Sequence, residues 1–505
     1  MKLRKLASIV LVGAMTLMLA GCGETETGVS VEEINVGNQA MKVSVHDPSI
    51  VKADGKYYIF GSHMAAAVSE DLTSFKSFAN GVTPGNKLFD NLLNGEKEAF
   101  AFTGQHVDGY YAVWAPDVIY NPNLEKWVMY FSTSHDYRTS NICMATADTI
   151  EGPYSYQETL LYSGITRMNV ENTNFYEILG EDADVSEYVN GSDYNNLVYP
   201  NCIDPTIVYD EDGRMWMVYG SWSGGMWLLE LDQNTGLPIH PEADEEKHVD
   251  AYYGQYLMGG LHNSCEGPYL IYDKESGYYY LFVSYGGLTR TGGYQIRQYR
   301  AENITGPYVD TTNETFGFVA NHEKYGLKVM GNYDLPSLKT AYMAPGHCSV
   351  LQEDDGRLYL VYHTRFDSGS EYHEPRVHQL FRNEEGWLVA APFATMGETL
   401  SETGYANEKA VSGVYHFVNH GTDISADIHS TTEWELKSNG KIEGADGTTG
   451  SYKVTANTNY ITITLGEVVY KGVIVEMQDE AGNAVRCITA AGNNNESIWG
   501  VFYQQ

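Results

Sequence analysis

Positive charge is what this chain most lacks. Lysine and arginine number 31 against 66 aspartates and glutamates in 505 residues, a net charge of −35. With so few cations there is no basic patch to meet phosphates, which excludes a general nucleic-acid role. The same imbalance disfavours a strongly anionic polymer as the main substrate and otherwise reads as solubility. Cysteine is scarce too, at six residues. Setting aside Cys22 leaves Cys143, Cys202, Cys265, Cys348 and Cys487. An odd set without CxxC spacing argues against a disulfide framework, and buried structural thiols are expected instead.

Long apolar runs are also missing where a membrane helix would need one. Ala7 to Met18 is too short to span as a mature helix. Lys2, Arg4 and Lys5 precede it, and Leu19-Ala20-Gly21-Cys22 follows. That arrangement resembles a bacterial lipoprotein signal over residues 1–22, with Cys22 lipidated after cleavage. Residues 23–40 then read as a polar tether. The expectation is an extracellular, cell-surface lipoprotein that meets the membrane only through this anchor, and a monomer.

What is abundant is aromatic and turn-forming: 40 Tyr, 16 Phe, 8 Trp and 51 Gly. This suits an all-β protein, and aromatic faces also stack on sugars, although strand propensity alone accounts for most of the tyrosines. One hairpin pattern recurs. Ile203-Asp204-Pro205-Thr206-Ile207-Val208-Tyr209 passes through Asp210-Glu211-Asp212-Gly213 to Met215-Trp216-Met217-Val218-Tyr219. Matching hairpins start at Asp47-Pro48, Ala115-Pro116, Gly267-Pro268 and His347-Cys348. Apolar runs around a Gly-containing polar loop read as β-hairpins. Five copies predict a five-bladed β-propeller over 41–395. After Pro392 the pattern changes, and shorter alternating segments over 396–505 predict a small C-terminal β-sandwich or barrel. The polar, acidic stretch Gln157–Tyr199 interrupts the repeat and is expected at the rim of the channel mouth, because a loop this long is usually functional.

The first strand of each propeller blade faces the central channel. The repeat position reads Asp47, Ala115, Asp204, Gly267 and His347, with Glu266 one residue before the fourth copy. Three carboxylates and an imidazole should therefore meet at one end of the channel. Alone, an aspartate before proline caps a turn more often than it catalyses. A cluster is different, because burial and mutual repulsion push carboxyl pKa values apart, as acid–base cleavage of a glycosidic bond requires. Asp117, offset from the repeat position, reads as structural.

At these residues the chain resembles glycoside hydrolase family 43. The likeness rests on His46-Asp47-Pro48, Trp114-Ala115-Pro116-Asp117, Ile203-Asp204-Pro205 and Cys265-Glu266-Gly267-Pro268. Asn201 to Pro205, Gly220 to Gly225 and Tyr342 to His347 are similar to the endo-1,5-α-L-arabinanases of that family. The resemblance implies an inverting hydrolase of arabinan or arabino-oligosaccharides. In it Asp47 is the general base, Glu266 the general acid and Asp204 the residue that tunes and orients Glu266. It further implies that His347 binds a calcium ion, largely through water. The substrate contacts it implies are Asn201, Cys202, Ile203, Ser221, Trp222 and Ser223, with Trp114 as a sugar platform. An inverting mechanism predicts a carboxyl separation of roughly 6.5–9.5 Å between Asp47 and Glu266. Two rivals remain at this stage. One is an exo-acting α-arabinofuranosidase or β-xylosidase, made by Gln157–Tyr199 closing the groove. The other is a non-catalytic carbohydrate-binding protein, disfavoured because all three acids are present.

Overall fold

The computed structural model describes residues 41–90, 92–93 and 98–503. The signal segment, Cys22 and the tether lie outside the described residues. Each predicted hairpin opens a four-stranded antiparallel blade or its equivalent. Blade 1 runs from Ser49–Ala53 to Phe75–Ala79, and blade 2 from Ala112–Asn121 to Ser155–Tyr162. Blade 3 starts at Thr206–Tyr209 and carries extra short strands at its edge. Blade 4 runs from Cys265–Asp273 to Leu327–Met330, and blade 5 from Tyr342–Gln352 to Leu388–Ala390.

The inner strands abut one another in cyclic order, and the last abuts the first. Side-chain bonds stitch this ring. Asp117 accepts from Ser49 Oγ of blade 1 and from Ile207 N of blade 3, so one carboxylate joins three blades. Burial pushes its pKa up to about 6. Thr206 Oγ1 donates to Pro268 O at 2.8 Å, and Ser349 Oγ to Pro48 O at 2.7 Å. Among the described residues no blade borrows a strand from the opposite end of the chain. The seam between blades 5 and 1 is instead latched by Met41 and Lys42, whose N–H groups donate to the Glu374 carboxylate. Glu374 also pairs with buried Arg376 at 2.8 Å.

Between neighbouring blades lie apolar layers, made by the inward-facing half of each alternating strand. Phe60 and Phe131 meet between blades 1 and 2, and Met217 and Tyr219 pack on blade 2 residues such as Tyr130. Full burial of each such side chain contributes roughly 1.5–3 kcal/mol. Blade 2 extends further than Tyr154: Ser155–Tyr162 is its outer strand, which takes the first part of the predicted Gln157–Tyr199 loop. The remainder is not an open loop. Phe175, Val185, Tyr188 and Tyr194 are buried with Tyr252 and Tyr253 of blade 3.

The C-terminal region resolves the sandwich-or-barrel alternative. Eight strands, from Gly413–Asn419 to Ser497–Tyr503, close into a barrel. Along Ala484–Gly492 the alternation has two targets. Val485, Cys487 and Ala491 pack into the layer shared with blade 5, while Ile488 and Ala490 face the barrel interior. Trp499 joins the shared layer and is fully buried. Among the described residues no helix is long and apolar enough to cross a membrane.

Candidate active site

The five repeat positions share one backbone conformation. Asp47, Ala115, Asp204, Gly267 and His347 have φ values of 52°, 41°, 58°, 58° and 44°. Positive φ is uncommon outside glycine, yet here it recurs at the same repeat position in every blade, just before the inner strand in blades 1 and 3 and within it in blades 2, 4 and 5. In blades 2, 4 and 5 the pairing register shifts at or beside this point. Such bulges re-aim side chains and gather near active sites. Glycine is required at 267 for a second reason: a Cβ there would lie 2.9 Å from the His347 ring.

All five blades contribute to one cavity of about 270 Å³ at this end of the channel. Asp47, Asp204, Glu266 and His347 line it together, with Trp114 and Ile203 on the wall. The backbone repeat thus brings together the carboxylates that the sequence places far apart.

Asp47 is surrounded by imidazoles. Its Oδ1 lies 2.8 Å from His46 Nδ1 and 3.2 Å from His347 Nδ1. Ser62 Oγ donates to Oδ2, and the Asp47 N–H donates to His363 Nδ1 at 3.3 Å. Burial works against its charge, but His46, His347 and His363 together hold the carboxyl well below the usual carboxylate range. His347 responds in the opposite sense. Burial disfavours its cation, yet Asp47, Asp204 and Glu266 raise its pKa.

Glu266 and Asp204 are shifted the other way. Burial raises Glu266, with Asp47 adding to the effect, and the donors Tyr294 and Trp222 together with His347 oppose it. Trp222 Nε1 donates to its Oε2 at 2.7 Å, Ser221 Oγ to the same oxygen at 3.3 Å, and Tyr294 OH to Oε1 at 2.7 Å. Asp204 is pushed up to about 7, first by burial and then, against His347, by Glu266 and Asp47. Its Oδ2 accepts from Gly267 N at 3.1 Å, which fixes the backbone beside Glu266. The cavity therefore holds an ionised carboxylate and a carboxyl inclined to keep its proton.

The expected substrate contacts divide. Trp114 and Ile203 face the cavity. Ser221 and Trp222 grip Glu266. Asn201 is buried and accepts from Ser163 Oγ at 3.2 Å. Cys202 is fully buried in the apolar layer between blades 2 and 3, because it lies one residue out of phase with cavity-facing Ile203. Ser223 is buried, and its carbonyl accepts from His262 N. These three do not line the cavity. Sequence reasoning also missed several groups that do: His63, His106, Asp108 and Asp136. His106 and Asp108 come from the irregular connection before blade 2, where no repeat marks a register. Tyr294 was missed as well; its only signal is the glycine-rich run Gly286 to Gly293 just before it.

The donor set bears on a metal. Among the described residues, His46, Asp47 and His363 offer ligand atoms within 4.8 Å of one another. Two nitrogens suit a softer ion, and His363 Nδ1 is already engaged by Asp47 N–H. Around His347 the available charged groups are carboxylates, oxygen donors of the kind a hard cation takes. Asp47, Asp204 and Glu266, which face His347, are thus of the residue type that calcium takes, although among the described residues only His46, Asp47 and His363 bring three ligand atoms within 4.8 Å of one another.

Known proteins share this architecture. The family described as glycosyl hydrolases family 43 matches residues 161–388, and a C-terminal lipocalin-like domain matches residues 392–500. The chain is 37% identical over 474 residues to extracellular endo-α-(1→5)-L-arabinanase 2 of Bacillus subtilis, covering 91% of this chain and 93% of that protein. It is 36% identical over 473 residues to the extracellular endo-α-(1→5)-L-arabinanase of Thermotoga petrophila, covering 90% and 93%. The crystal structure of endo-1,5-α-L-arabinanase from Thermotoga petrophila aligns with a TM-score of 0.79 at 35% identity, over 91% of this chain and 98% of that one. Identity of this level along nearly the whole of both chains, on the same propeller-and-barrel frame, shows that this chain belongs to glycoside hydrolase family 43.

Proposed function

We propose that this protein hydrolyses internal α-1,5-L-arabinofuranosidic bonds of arabinan with inversion of configuration. The observation that carries the reading is the opposed electrostatics of two carboxyls in one cavity: Asp47 held ionised and Glu266 pushed towards its protonated form. Glu266 protonates the leaving oxygen. Asp47 removes a proton from the attacking water, and the products leave the two groups with exchanged protonation states. Asp204 is a positioning residue, holding the Gly267 N–H and with it the Glu266 backbone. Trp114 offers its ring to a sugar face. The relatives named endo-arabinanases support the substrate class.

The endo assignment draws support from Gln157–Tyr199. None of its residues lines the cavity. Its first residues belong to the outer strand of blade 2 and the remainder packs on blade 3, so the closure that would favour exo action is not built from this segment. The test is a digest of linear arabinan by wild type, Asp47→Asn and Glu266→Gln. Wild type should release oligosaccharides of mixed length with inverted anomeric configuration at first appearance. Each variant should lose on the order of 10²–10⁴ in kcat. A Glu266→Gln protein with the wild-type rate removes the assignment of the acid.

Calcium belongs to the same proposal. Bound near His347, it would supply positive charge that lowers the mutual repulsion of the carboxylates. Chelation should lower activity and the thermal midpoint together, and added calcium should restore both. Export and anchoring through a lipid on Cys22 are supported by the sequence of residues 1–22. Radiolabelled palmitate incorporation lost in Cys22→Ala would test the anchor.

A further inference from the structure

We propose that the C-terminal barrel is part of the catalytic apparatus: a strap from it, residues 422–429, holds Tyr294 and so positions the carboxyl of Glu266. This rests on the reading of Glu266 as the acid.

The strap follows the first barrel strand, Gly413–Asn419, and lies against blade 4. Its contact with the residue before Tyr294 is direct. Gly293 has a φ of 74°, and a Cβ there would sit 2.9 Å from Ser425 O. On the other side of Tyr294, Gln295 Nε2 donates to Asp423 O at 2.9 Å and to Gly293 O at 3.1 Å. The two neighbours of Tyr294 are therefore both seated on the strap. The tyrosine ring lies close over Gly346, where a Cβ would come within 2.1 Å of it, and its hydroxyl reaches Glu266.

Charge explains why the strap stays. Arg297 is fully buried and Lys328 almost so. Arg297 donates to Thr422 O, and Lys328 Nζ donates to Asp423 O at 2.9 Å and lies 3.2 Å from Asp423 Oδ1. Asp423 is thus the carboxylate that answers cations buried in blade 4. His429 Nε2 lies 3.2 Å from the same oxygen, and Ser425 Oγ donates to Asp423 Oδ2. Removing a partner from a buried charge is far costlier than never having made the pair. A second line runs to blade 5. Asn332 Nδ2 donates to Ala426 O at 3.0 Å, and its Oδ1 accepts from Ala344 N at 2.6 Å, three residues before His347. One strap from the second domain thus braces the two neighbouring blades, 4 and 5, that carry Glu266 and His347.

A proton donor matters only when the leaving group needs the proton. The test therefore compares linear arabinan with an arabino-oligosaccharide bearing a 2,4-dinitrophenyl leaving group, for Tyr294→Phe, Asp423→Ala, the milder Asp423→Asn, and Glu266→Gln. Tyr294→Phe and Asp423→Ala should lower kcat on arabinan by roughly 10-fold or more, with KM little changed, and leave the dinitrophenyl substrate near the wild-type rate. The double variant should lose no more than the worse single, because both act through one hydroxyl. Thr489→Val, which cuts a barrel–propeller bond to Ala390 O remote from the strap, should change neither substrate. If Asp423→Ala and Asp423→Asn lower the thermal midpoint but slow both substrates equally, or neither, the strap is only structural and the proposal is wrong. If Glu266→Gln itself hydrolyses arabinan at the wild-type rate, it is the acid assignment that fails, whatever the strap variants do.

Discussion

At the scale of single residues, the site is a set of left-handed positions whose side chains differ by blade. Gly267→Ala should be the sharpest probe of that geometry. The added methyl meets both a φ of 58° and the His347 ring. A stability loss of about 1–3 kcal/mol is expected from the strained backbone, with activity falling further as His347 shifts; denaturant unfolding and kcat measure the two. The pH profile follows from opposite shifts. Asp47 stays ionised well below the usual carboxylate range, so acid should not remove the base until low pH. Glu266 is raised, so its proton is lost only above the usual range, and kcat/KM should fall as pH rises through that point. With Asp204 near 7 in the same cavity, the basic limb belongs to the group as a whole. A basic limb at the ordinary glutamate value would contradict this. Asp47, Asp204 and His347 were legible in the sequence because each stands at the repeat position. Cys202 was not, since a family likeness over a segment does not say which of two adjacent residues faces the channel. Tyr294 was illegible for another reason: it reaches Glu266 from just before another strand of blade 4, Gln295–Ala301, after a turn that no hairpin pattern registers.

At the scale of elements, the inner hairpins were readable because alternation and turn chemistry agree there. Each pairs in the antiparallel register that its apolar runs imply, as in Ile50 opposite Ile59. Insertions carry no such periodicity, and two were not legible. The connection before blade 2 supplies His106 and Asp108 to the cavity. Gln157–Tyr199 is a blade 2 strand followed by a packed cover, not an open loop, and none of it lines the cavity. Its hold on the site is indirect: Gly224 N donates to Tyr199 O at 2.9 Å, and a Cβ on Gly224 would collide with Val198 O. Phe175 anchors the cover and is fully buried. Phe175→Ala should cost about 3–5 kcal/mol, measured by denaturant unfolding. Because the cover backs the turn that carries Trp222, KM for arabinan should rise as well. A variant that unfolds no more easily than wild type would show the cover to be dispensable.

At the scale of the whole molecule, acid stability should be set by histidines buried as neutral rings. Burial holds His63 and His378 at about 4 and pushes His363, His373 and His420 well below their usual value. Their folded pKa values lie below the unfolded value, so the unfolded chain takes up protons first as pH falls. Stability is then fully present above roughly pH 6.5 and declines towards pH 4. A thermal midpoint flat between pH 7 and 4.5 would overturn this. His378→Gln should flatten the decline in part. The barrel belongs to the same unfolding unit as blade 5, since Trp499, Val475 and Cys487 share one layer with Leu360 and Tyr362; the sequence marked the domain change but gave no sign that its strands serve two cores.

The latch at Glu374 has a mechanical consequence. Tension arriving along the backbone from before Met41 reaches the ring at its one discontinuity, between the final and the opening blade. It meets there two amide bonds to a single carboxylate, backed by a buried guanidinium. A force entering at Met41 is carried first by those bonds, so the Glu374 carboxylate decides how firmly the two ends of the circle stay joined.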